Sequence, residues 1–375
     1  MKVITVVGTR PEIIRLSRVI DKLDRSTNHV LVHTGQNYDY ELNQIFFDEL
    51  EIRKPDFFLN AASGTAAATI GNVIIKFDEL LEQEKPDALL VLGDTNSSLC
   101  VIPAKRRKIP IFHMEAGNRC YDERVPEEIN RKIVDHTSDI NMPYSSIARE
   151  YLLKEGFPGD QIIKTGSPMY EVLDYYKTKI DASEVVSRLD LEKEKYFVIS
   201  SHREENVDQE KTLRKIANIL EKICEAYNFP VIFSTHPRTQ KRLEMYNIQL
   251  HPLVQILKPL GFLDYIKLQQ NAFCVISDSG TITEEASIVN FPAINLRESH
   301  ERPEGMEEAV VIMTGLDVDT VIDAIPVAAN IKRGEAERSI KLVEDYYAPN
   351  VSDKVLKIIM SYTGFVKRKV WKIYE

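Results

Sequence analysis

The chain contains few of the residues that mark disulfide-rich, metal-binding or membrane-spanning proteins. Its 375 residues include four cysteines, at positions 100, 120, 224 and 274, and no two of them have Cys-x-x-Cys spacing. The absence of this spacing argues against a zinc ribbon or a disulfide scaffold and favours reduced thiols in a cytoplasmic protein. The apolar runs are short, as in residues 88–92, whereas a membrane-spanning helix needs about 20 apolar residues. We therefore expect a soluble, cytoplasmic protein with no membrane partner.

The chain also lacks an excess of positive charge and two glycine-rich nucleotide-binding motifs. The net charge is −9, from 48 Lys and Arg against 57 Asp and Glu, and nucleic-acid binding needs a positive surface. The loop after the first predicted strand, Gly8-Thr9-Arg10-Pro11, lacks the Gly-x-Gly-x-x-Gly pattern, and no P-loop motif occurs. Asp317-Val318-Asp319 is typical of a helix start rather than of a metal site. We therefore expect no nucleic-acid partner, no cofactor and no metal.

Short apolar stretches alternate with amphipathic stretches of helical length along the chain. The predicted strands cover residues 2–7, 30–33, 88–92, 109–114, a segment near 140, 196–200, 231–234, 254–257, 273–277 and 293–296. The predicted helices cover residues 12–24, 40–50, 66–82, 97–107, 127–137, 170–177, 211–227, 282–289 and a stretch from 353. Continuous apolar strands separated by helices are typical of parallel sheets covered on both faces. The predicted fold class is therefore α/β.

The alternation restarts near residue 196, which indicates two Rossmann-like domains facing each other across a cleft that holds the active site. The predicted N-terminal domain covers residues 1–168 and bears the acids. The predicted C-terminal domain covers residues 169–352. A terminal helix over residues 353–375 is expected to pack back on the first domain.

Polar residues follow most of the predicted strands. In open parallel sheets, ligands bind beyond the carboxyl ends of the strands. In the first domain these ends bear Arg10, Arg15, Gln36, Asp94, Glu115, Arg119 and Glu127. In the second domain they bear His202, His236, Ser279, Gly280, Glu285 and Arg302. Taken together, these residues predict a site that binds an anion and performs proton chemistry on it.

Each of these residues also has an ordinary structural interpretation. A single Asp after a strand is commonly a helix N-cap, and Ser279-Gly280 equally fits a helix N-cap or an anion cradle. The two domains nevertheless differ, because the acids Asp94, Glu115 and Glu127 concentrate in the first domain. Closely placed carboxylates separate their pKa values and so supply an acid and a base. This division suits a nucleoside diphosphate held by the second domain, with its sugar against the acids of the first.

A set of motifs in register resembles the non-hydrolysing UDP-N-acetylglucosamine 2-epimerase family. The motifs run in order from residue 8 to about residue 304. They are Gly8-Thr9-Arg10-Pro11-Glu12, His33-Thr34-Gly35-Gln36, Gly93-Asp94-Thr95-Asn96-Ser97, His113-Met114-Glu115-Ala116-Gly117, Pro126-Glu127-Glu128-Ile129-Asn130-Arg131, Thr165-Gly166, His202-Arg203-Glu204, Asp278-Ser279-Gly280-Thr281 and Glu301-Arg302-Pro303-Glu304.

The resemblance implies a glycosyltransferase-B-like fold, a homodimer, no metal and no nicotinamide. It implies inversion at C2 of a UDP-2-acetamido sugar, by elimination of UDP to a glycal and re-addition of UDP. Asp94, Glu115 and Glu127 then correspond to the acid and base groups, and His202 to the group that stabilises the departing UDP. The implied UDP or substrate contacts are Arg10, Arg15, Gln36, Arg119, Arg131, His236, Ser279, Gly280, Glu285 (on the ribose) and Arg302.

Three departures from the common family pattern resemble one branch, UDP-N-acetyl-L-fucosamine synthase. They are Gly117-Asn118-Arg119-Cys120, Gln36-Asn37-Tyr38-Asp39-Tyr40, and Arg15 in place of a frequent lysine. That branch epimerises UDP-2-acetamido-2,6-dideoxy-β-L-talose for bacterial capsule or O-antigen synthesis. The alternatives are a UDP-N-acetylglucosamine/UDP-N-acetylmannosamine 2-epimerase, a glycosyltransferase of the same fold, and a non-catalytic nucleotide-sugar sensor.

Overall fold

The computed structural model describes residues 1–35, 40–201, 209–235, 237–333 and 337–374. The chain forms two compact units. The first comprises Met1–Tyr175 together with Asp345–Glu375, and the second comprises Tyr176–Glu344. Within the described ranges, no helix is both long enough and apolar enough to cross a membrane. The four cysteines are free thiols, and Cys120 is the one that is not fully buried.

The first unit is built on a six-stranded parallel sheet. Its strands are β1 (Lys2–Val7), β2 (Asn28–His33), β3 (Phe57–Phe58), β4 (Ala88–Leu92), β5 (Ile111–Met114) and β6 (Ile140–Met142). They lie in the order β3-β2-β1-β4-β5-β6. In β1 and β4 nearly every residue is buried, because helices cover both faces of the sheet.

Among the residues that the structure describes, seven α-helices begin before the boundary between the units. They are α1 (Arg10–Ser26), α2 (Tyr40–Glu49), α3 (Ala66–Glu84), α4 (Val101–Arg106), α5 (Pro126–Thr137), α6 (Ser146–Lys154) and α7 (Met169–Asp181). A short 3₁₀ turn over Asn96–Cys100 precedes α4. Local features mark where some of these helices begin and end. Pro11 and Glu12 stand in the first turn of α1, and Lys85, the residue after α3, has the left-handed conformation. The boundary at 175/176 falls inside α7.

The second unit repeats the same strand order. Its strands are β7 (Phe197–Ser200), β8 (Val231–Ser234), β9 (Val254–Leu257), β10 (Cys274–Ser277), β11 (Ala293–Asn295) and β12 (Ile312–Met313). They are parallel, in the order β12-β11-β10-β7-β8-β9. Its helices are α8 (Val185–Arg188), α9 (Glu210–Tyr227), α10 (Pro237–Met245), α11 (Phe262–Asn271), α12 (Thr281–Val289), α13 (Pro303–Glu307) and α14 (Val318–Ala329).

Apolar periodicity explains how each unit forms its own core. In α9, Leu213, Ile216, Leu220 and Ile223 recur at helical spacing and are buried against the second sheet. The last helix, α15 (Val351–Lys369), belongs to the first unit and packs against α1.

The strand order places a topological switch point in each sheet. Read from its outer strand, each sheet has the doubly wound order 3-2-1-4-5-6, so the direction of winding reverses between β1 and β4 and between β7 and β10. Ligands of open α/β sheets bind beyond the strand ends at this point. The predicted α/β class with two Rossmann-like units is confirmed, and the loops after β1, β4, β7 and β10 are where a site is expected.

Candidate active site

Asp94 lies at the switch point of the first unit, in the loop directly after β4. Gly93 precedes it with φ +69°, a left-handed conformation that favours glycine. The guanidinium of Arg131, on α5, donates to Asp94 Oδ2 from Nε at 2.9 Å and from Nη2 at 2.7 Å. Asp94 and Arg131, which were predicted separately as site residues, therefore form an ion pair that joins the loop after β4 to α5.

Glu115 follows β5 and lies beside the same loop. Its backbone is left-handed, with φ +66°, and a Cβ built on Gly93 would lie 3.7 Å from Glu115 Oε2. Arg15, on α1, donates to Oε2, and Asn118 donates to Oε1 at 3.2 Å. Two carboxylates, each with its own arginine, therefore lie at adjacent strand ends, where a substrate of this sheet would meet them.

Glu12 is a buried carboxylate that was not included in the predicted site. Its Oε2 accepts from the amides of Gly8 at 2.6 Å and Thr9 at 2.8 Å, and its Oε1 accepts from the Thr95 hydroxyl at 2.6 Å. Burial raises the pKa of Glu12 to about 7, although these hydrogen bonds oppose the rise. Glu12 thus ties the loop after β1 to the loop that holds Asp94. The signal for it was the Thr-x-x-Glu spacing of a capping box.

The two neighbouring acids at the start of α5 have different surroundings. Glu127 is partly exposed and makes no hydrogen bond or ion pair with any residue that the structure describes. Glu128 is fully buried, accepts from the Cys120 amide at 3.2 Å and pairs with Arg131 at 3.0 Å. Glu128 therefore fixes the loop before α5, while the carboxylate of Glu127 is available for a ligand.

Arg119 was predicted to contact substrate, but the structure places its side chain inside the fold. Its guanidinium is completely buried: Nη1 donates to Asp135 at 2.7 Å, and Nε and Nη2 donate to Glu155 at 2.8 and 2.6 Å. A guanidinium whose three nitrogens are all used inside the fold has no edge for a ligand. The position after β5 indicated a site residue, but the partners of Arg119 lie on α5 and next to the C-terminus of α6.

Asp135 links the strand ends to α5. It lies 2.9 Å from His113 Nδ1 and accepts from the Gly117 amide at 3.2 Å, while His113 Nε2 lies 3.0 Å from the carbonyl oxygen of Gly93. Burial alone would raise the pKa of Asp135, but the adjacent His113 and Arg119 hold it below its ordinary value. This ionic network fixes the backbone on either side of Asp94 and Glu115.

In the second unit, the loop after β10 leads into α12. Ser279 Oγ accepts from the amide of Thr281 at 3.3 Å, as a helix-capping residue does. Glu285 is buried and accepts from Gln269 at 2.8 Å. Arg302 is also buried and donates to Glu284 at 3.3 Å. These residues stand at the N-terminus of α12 or pack against this helix, which is the switch-point side of the second sheet.

For the other predicted site residues, the structure gives one ring contact of Arg10 and does not describe the rest. The Arg10 guanidinium lies 5.9 Å from the ring centre of Phe46. Gln36, His202 and His236 lie outside the described residues. Across the part of the chain that the structure describes, no group of three or more His, Cys, Asp or Glu side chains is arranged to hold a metal ion.

Comparisons with known proteins show the family of the chain and the structures that its fold resembles. The sequence model of the family UDP-N-acetylglucosamine 2-epimerase matches residues 21–360. The structure of UDP-N-acetylglucosamine 2-epimerase from Rickettsia bellii is 52% identical, covers 100% of both chains and has a TM-score of 0.92. The Methanocaldococcus jannaschii UDP-GlcNAc 2-epimerase, solved in complex with UDP-GlcNAc and UDP, is 34% identical over 96% of this chain and 100% of its own, with a TM-score of 0.89.

A third relative is named for a different substrate. The UDP-2,3-diacetamido-2,3-dideoxy-D-glucuronate 2-epimerase of Pseudomonas aeruginosa is 32% identical over 86% of this chain and 91% of its own length.

The two parallel sheets and their match to these structures define the class: an α/β enzyme with a glycosyltransferase-B-like fold. The chain belongs to the UDP-N-acetylglucosamine 2-epimerase family, and it is a non-hydrolysing 2-epimerase of UDP-sugars.

Proposed function

We propose that this enzyme inverts C2 of UDP-2-acetamido-2,6-dideoxy-β-L-talose to give UDP-N-acetyl-L-fucosamine. A carboxylate removes the proton from C2, the C2–H electron pair forms the C1=C2 double bond, and the C1–O bond to UDP breaks. UDP then adds back to C1 of the glycal, while C2 receives a proton on its opposite face. The observation that best supports this chemistry is the pair of carboxylates Asp94 and Glu115, each beside its own arginine at the switch point.

The acids have separate tasks in this proposal. Inversion requires proton removal on one face of the sugar and proton delivery on the other, so it needs at least two groups. Asp94, Glu115 and Glu127 supply them, and general acid–base catalysis of this kind contributes about 10²–10⁴-fold. Arg131 and Arg15 stabilise the ionised carboxylates beside them.

The second unit binds the nucleotide in this proposal. The N-terminus of α12, with Ser279 and Gly280, favours an anion, and Glu285 binds the ribose. His202, His236, Arg302 and Arg10 complete the proposed contacts, with His202 stabilising the UDP that leaves. Donors aimed at a departing diphosphate are worth about 3–4 kcal/mol of barrier. We further propose that the enzyme acts as a cytoplasmic homodimer in capsule or O-antigen synthesis.

UDP-N-acetylglucosamine is the second candidate substrate. The relative at 52% identity is a UDP-N-acetylglucosamine 2-epimerase, which favours this sugar. The 6-deoxy sugar is proposed because the Gly117-Asn118-Arg119-Cys120 stretch resembles that of the UDP-N-acetyl-L-fucosamine synthase branch. This stretch lies beside one of the acids, since Asn118 donates to Glu115.

A side-by-side assay separates the candidates. The purified enzyme is incubated with UDP-2-acetamido-2,6-dideoxy-β-L-talose or with UDP-N-acetylglucosamine, each without an acceptor, and epimers are followed by NMR. We expect conversion of the 6-deoxy sugar with the higher kcat/KM. Faster conversion of UDP-N-acetylglucosamine would contradict the substrate proposal, and no conversion of any UDP-sugar without an acceptor would contradict epimerisation itself.

A further inference from the structure

Arg297 has a buried donor that the protein leaves without a partner. It follows β11, and its side chain is only 5% exposed. Nη2 donates to Glu301 Oε1 at 3.1 Å, but Nη1 has no hydrogen-bond partner. A buried guanidinium nitrogen without an acceptor is costly, so an acceptor such as a water, an ion or a ligand oxygen is expected beside it.

The unpartnered nitrogen faces the N-terminus of α12. A Cβ built on Gly280 would lie 3.7 Å from Arg297 Nη1, so the guanidinium is next to this glycine. The same Cβ would lie 3.3 Å from Glu301 Oε2. Glycine keeps the backbone accessible at this point, and a helix N-terminus favours negative charge. Two independent features, a helix N-terminus and a buried guanidinium with one nitrogen that lacks an acceptor, therefore point to an anion at one place.

We infer that Arg297 is a direct ligand of the UDP diphosphate. The inference rests on the proposed function, and it adds a residue that was not among the predicted nucleotide contacts. Arginine suits this task because its planar guanidinium has several N–H donors, so that one nitrogen can donate to a carboxylate while another donates to a phosphate. Here Glu301 takes Nη2, which orients the fork, and Nη1 is left for a phosphate oxygen. The ion pair also offsets the negative charge of Glu301 near the diphosphate.

The experiment compares binding of UDP and of uridine, by calorimetry for UDP and by NMR titration for uridine. We expect Arg297→Gln to weaken UDP binding by about 10- to 100-fold, since a charge-assisted hydrogen bond is lost. Uridine affinity stays unchanged, because uridine has no phosphate. Arg214→Gln is the matched control: Arg214 is 52% exposed on α9 and pairs with Glu210 at 2.8 Å, so its loss leaves UDP affinity as in the wild type.

A double variant excludes an indirect effect. Arg297→Gln also removes the positive charge beside the carboxylate of Glu301, which lies near the proposed diphosphate position. If repulsion by this carboxylate were the whole cause, the double variant Arg297→Gln with Glu301→Gln would regain wild-type UDP affinity, and this result would overturn the inference. Wild-type UDP affinity in the single variant Arg297→Gln would also overturn it. Persistently weak UDP binding in the double variant, with an unchanged melting temperature, supports a direct ligand. Absence of UDP binding by the wild type would instead contradict the proposed function together with this inference.

Discussion

At the scale of single residues, Asp94 and Glu115 differ from the other acids of the first unit because each pairs with a buried arginine at a strand end. We expect Asp94→Asn and Glu115→Gln each to lower kcat by about 100-fold or more, since each removes an acid or base. UDP affinity should persist, because the proposed nucleotide contacts lie mainly in the second unit. Glu123→Gln, at an exposed acid paired with Lys132, is the control. Wild-type turnover in both active-site variants would remove the catalytic assignment.

The adjacent Glu127 and Glu128 should respond in opposite ways to the same substitution. Glu127→Gln should lower kcat by about 100-fold and leave the melting temperature unchanged, because Glu127 has no partner among the described residues. Glu128→Gln should lower the free energy of unfolding by about 3 kcal/mol, since it breaks a buried ion pair with Arg131. Urea unfolding and turnover are measured on both variants. The reverse pattern would assign the catalytic role to Glu128.

Glu12 predicts a pH dependence of stability. Its pKa in the folded chain is about 7, above the ordinary value of 4.5. Between these values the folded chain retains a proton that the unfolded chain has lost, so the free energy of unfolding falls as pH rises from 4.5 to 7, by about 3 kcal/mol. Glu12→Gln cannot titrate and should lack this component. Urea unfolding of both proteins across this range measures the difference, and parallel pH curves would contradict the account.

At the scale of elements, the apolar pattern predicted the strands closely. Residues 88–92 and 231–234 are strands with the predicted bounds, because a strand buried on both faces is continuously apolar. The two-residue strands β3 and β12 were missed, since two residues show no period. The predicted helix over 97–107 begins instead as a 3₁₀ turn, and α4 starts at Val101. Pro103 has no amide hydrogen to donate to residue 99, so a regular helix gains nothing by starting earlier.

The turn after β5 requires glycine at position 117, whereas helix α3 does not require glycine at position 71. Gly117 has φ +81°, and a Cβ on it would lie 2.5 Å from the Ala148 carbonyl oxygen. We expect Gly117→Ala to lower the free energy of unfolding by about 2–4 kcal/mol. Gly71 lies inside α3 with no atom within 4 Å of its Cβ position. Gly71→Ala, the control, should stabilise the protein by about 0.5–1 kcal/mol, and equal effects of the two substitutions would contradict this view of the turn.

At the scale of the whole molecule, the sequence predicted which side chains lie near each other at the strand ends better than it predicted their individual partners. Asp94 and Glu115 lie at adjacent strand ends as the pattern predicted, because parallel strands bring their carboxyl ends to one edge. The same rule also selected Arg119, whose partners Asp135 and Glu155 lie 16 and 36 residues further along the chain. Such distant pairs have no local pattern, so burial of Arg119 was not predictable. Arg297 also follows a strand, β11, but its unpartnered nitrogen is visible only in three dimensions.

The central claim is that C2 of the sugar loses its proton and gains another during each inversion. The most direct measurement is turnover of UDP-2-acetamido-2,6-dideoxy-β-L-talose in deuterium oxide, followed by NMR and mass spectrometry of the product. The account predicts a product with one deuterium, located at C2, and formation of this labelled product about 100-fold more slowly when Asp94→Asn or Glu115→Gln replaces the wild-type enzyme. Product that retains the original hydrogen at C2 would contradict it.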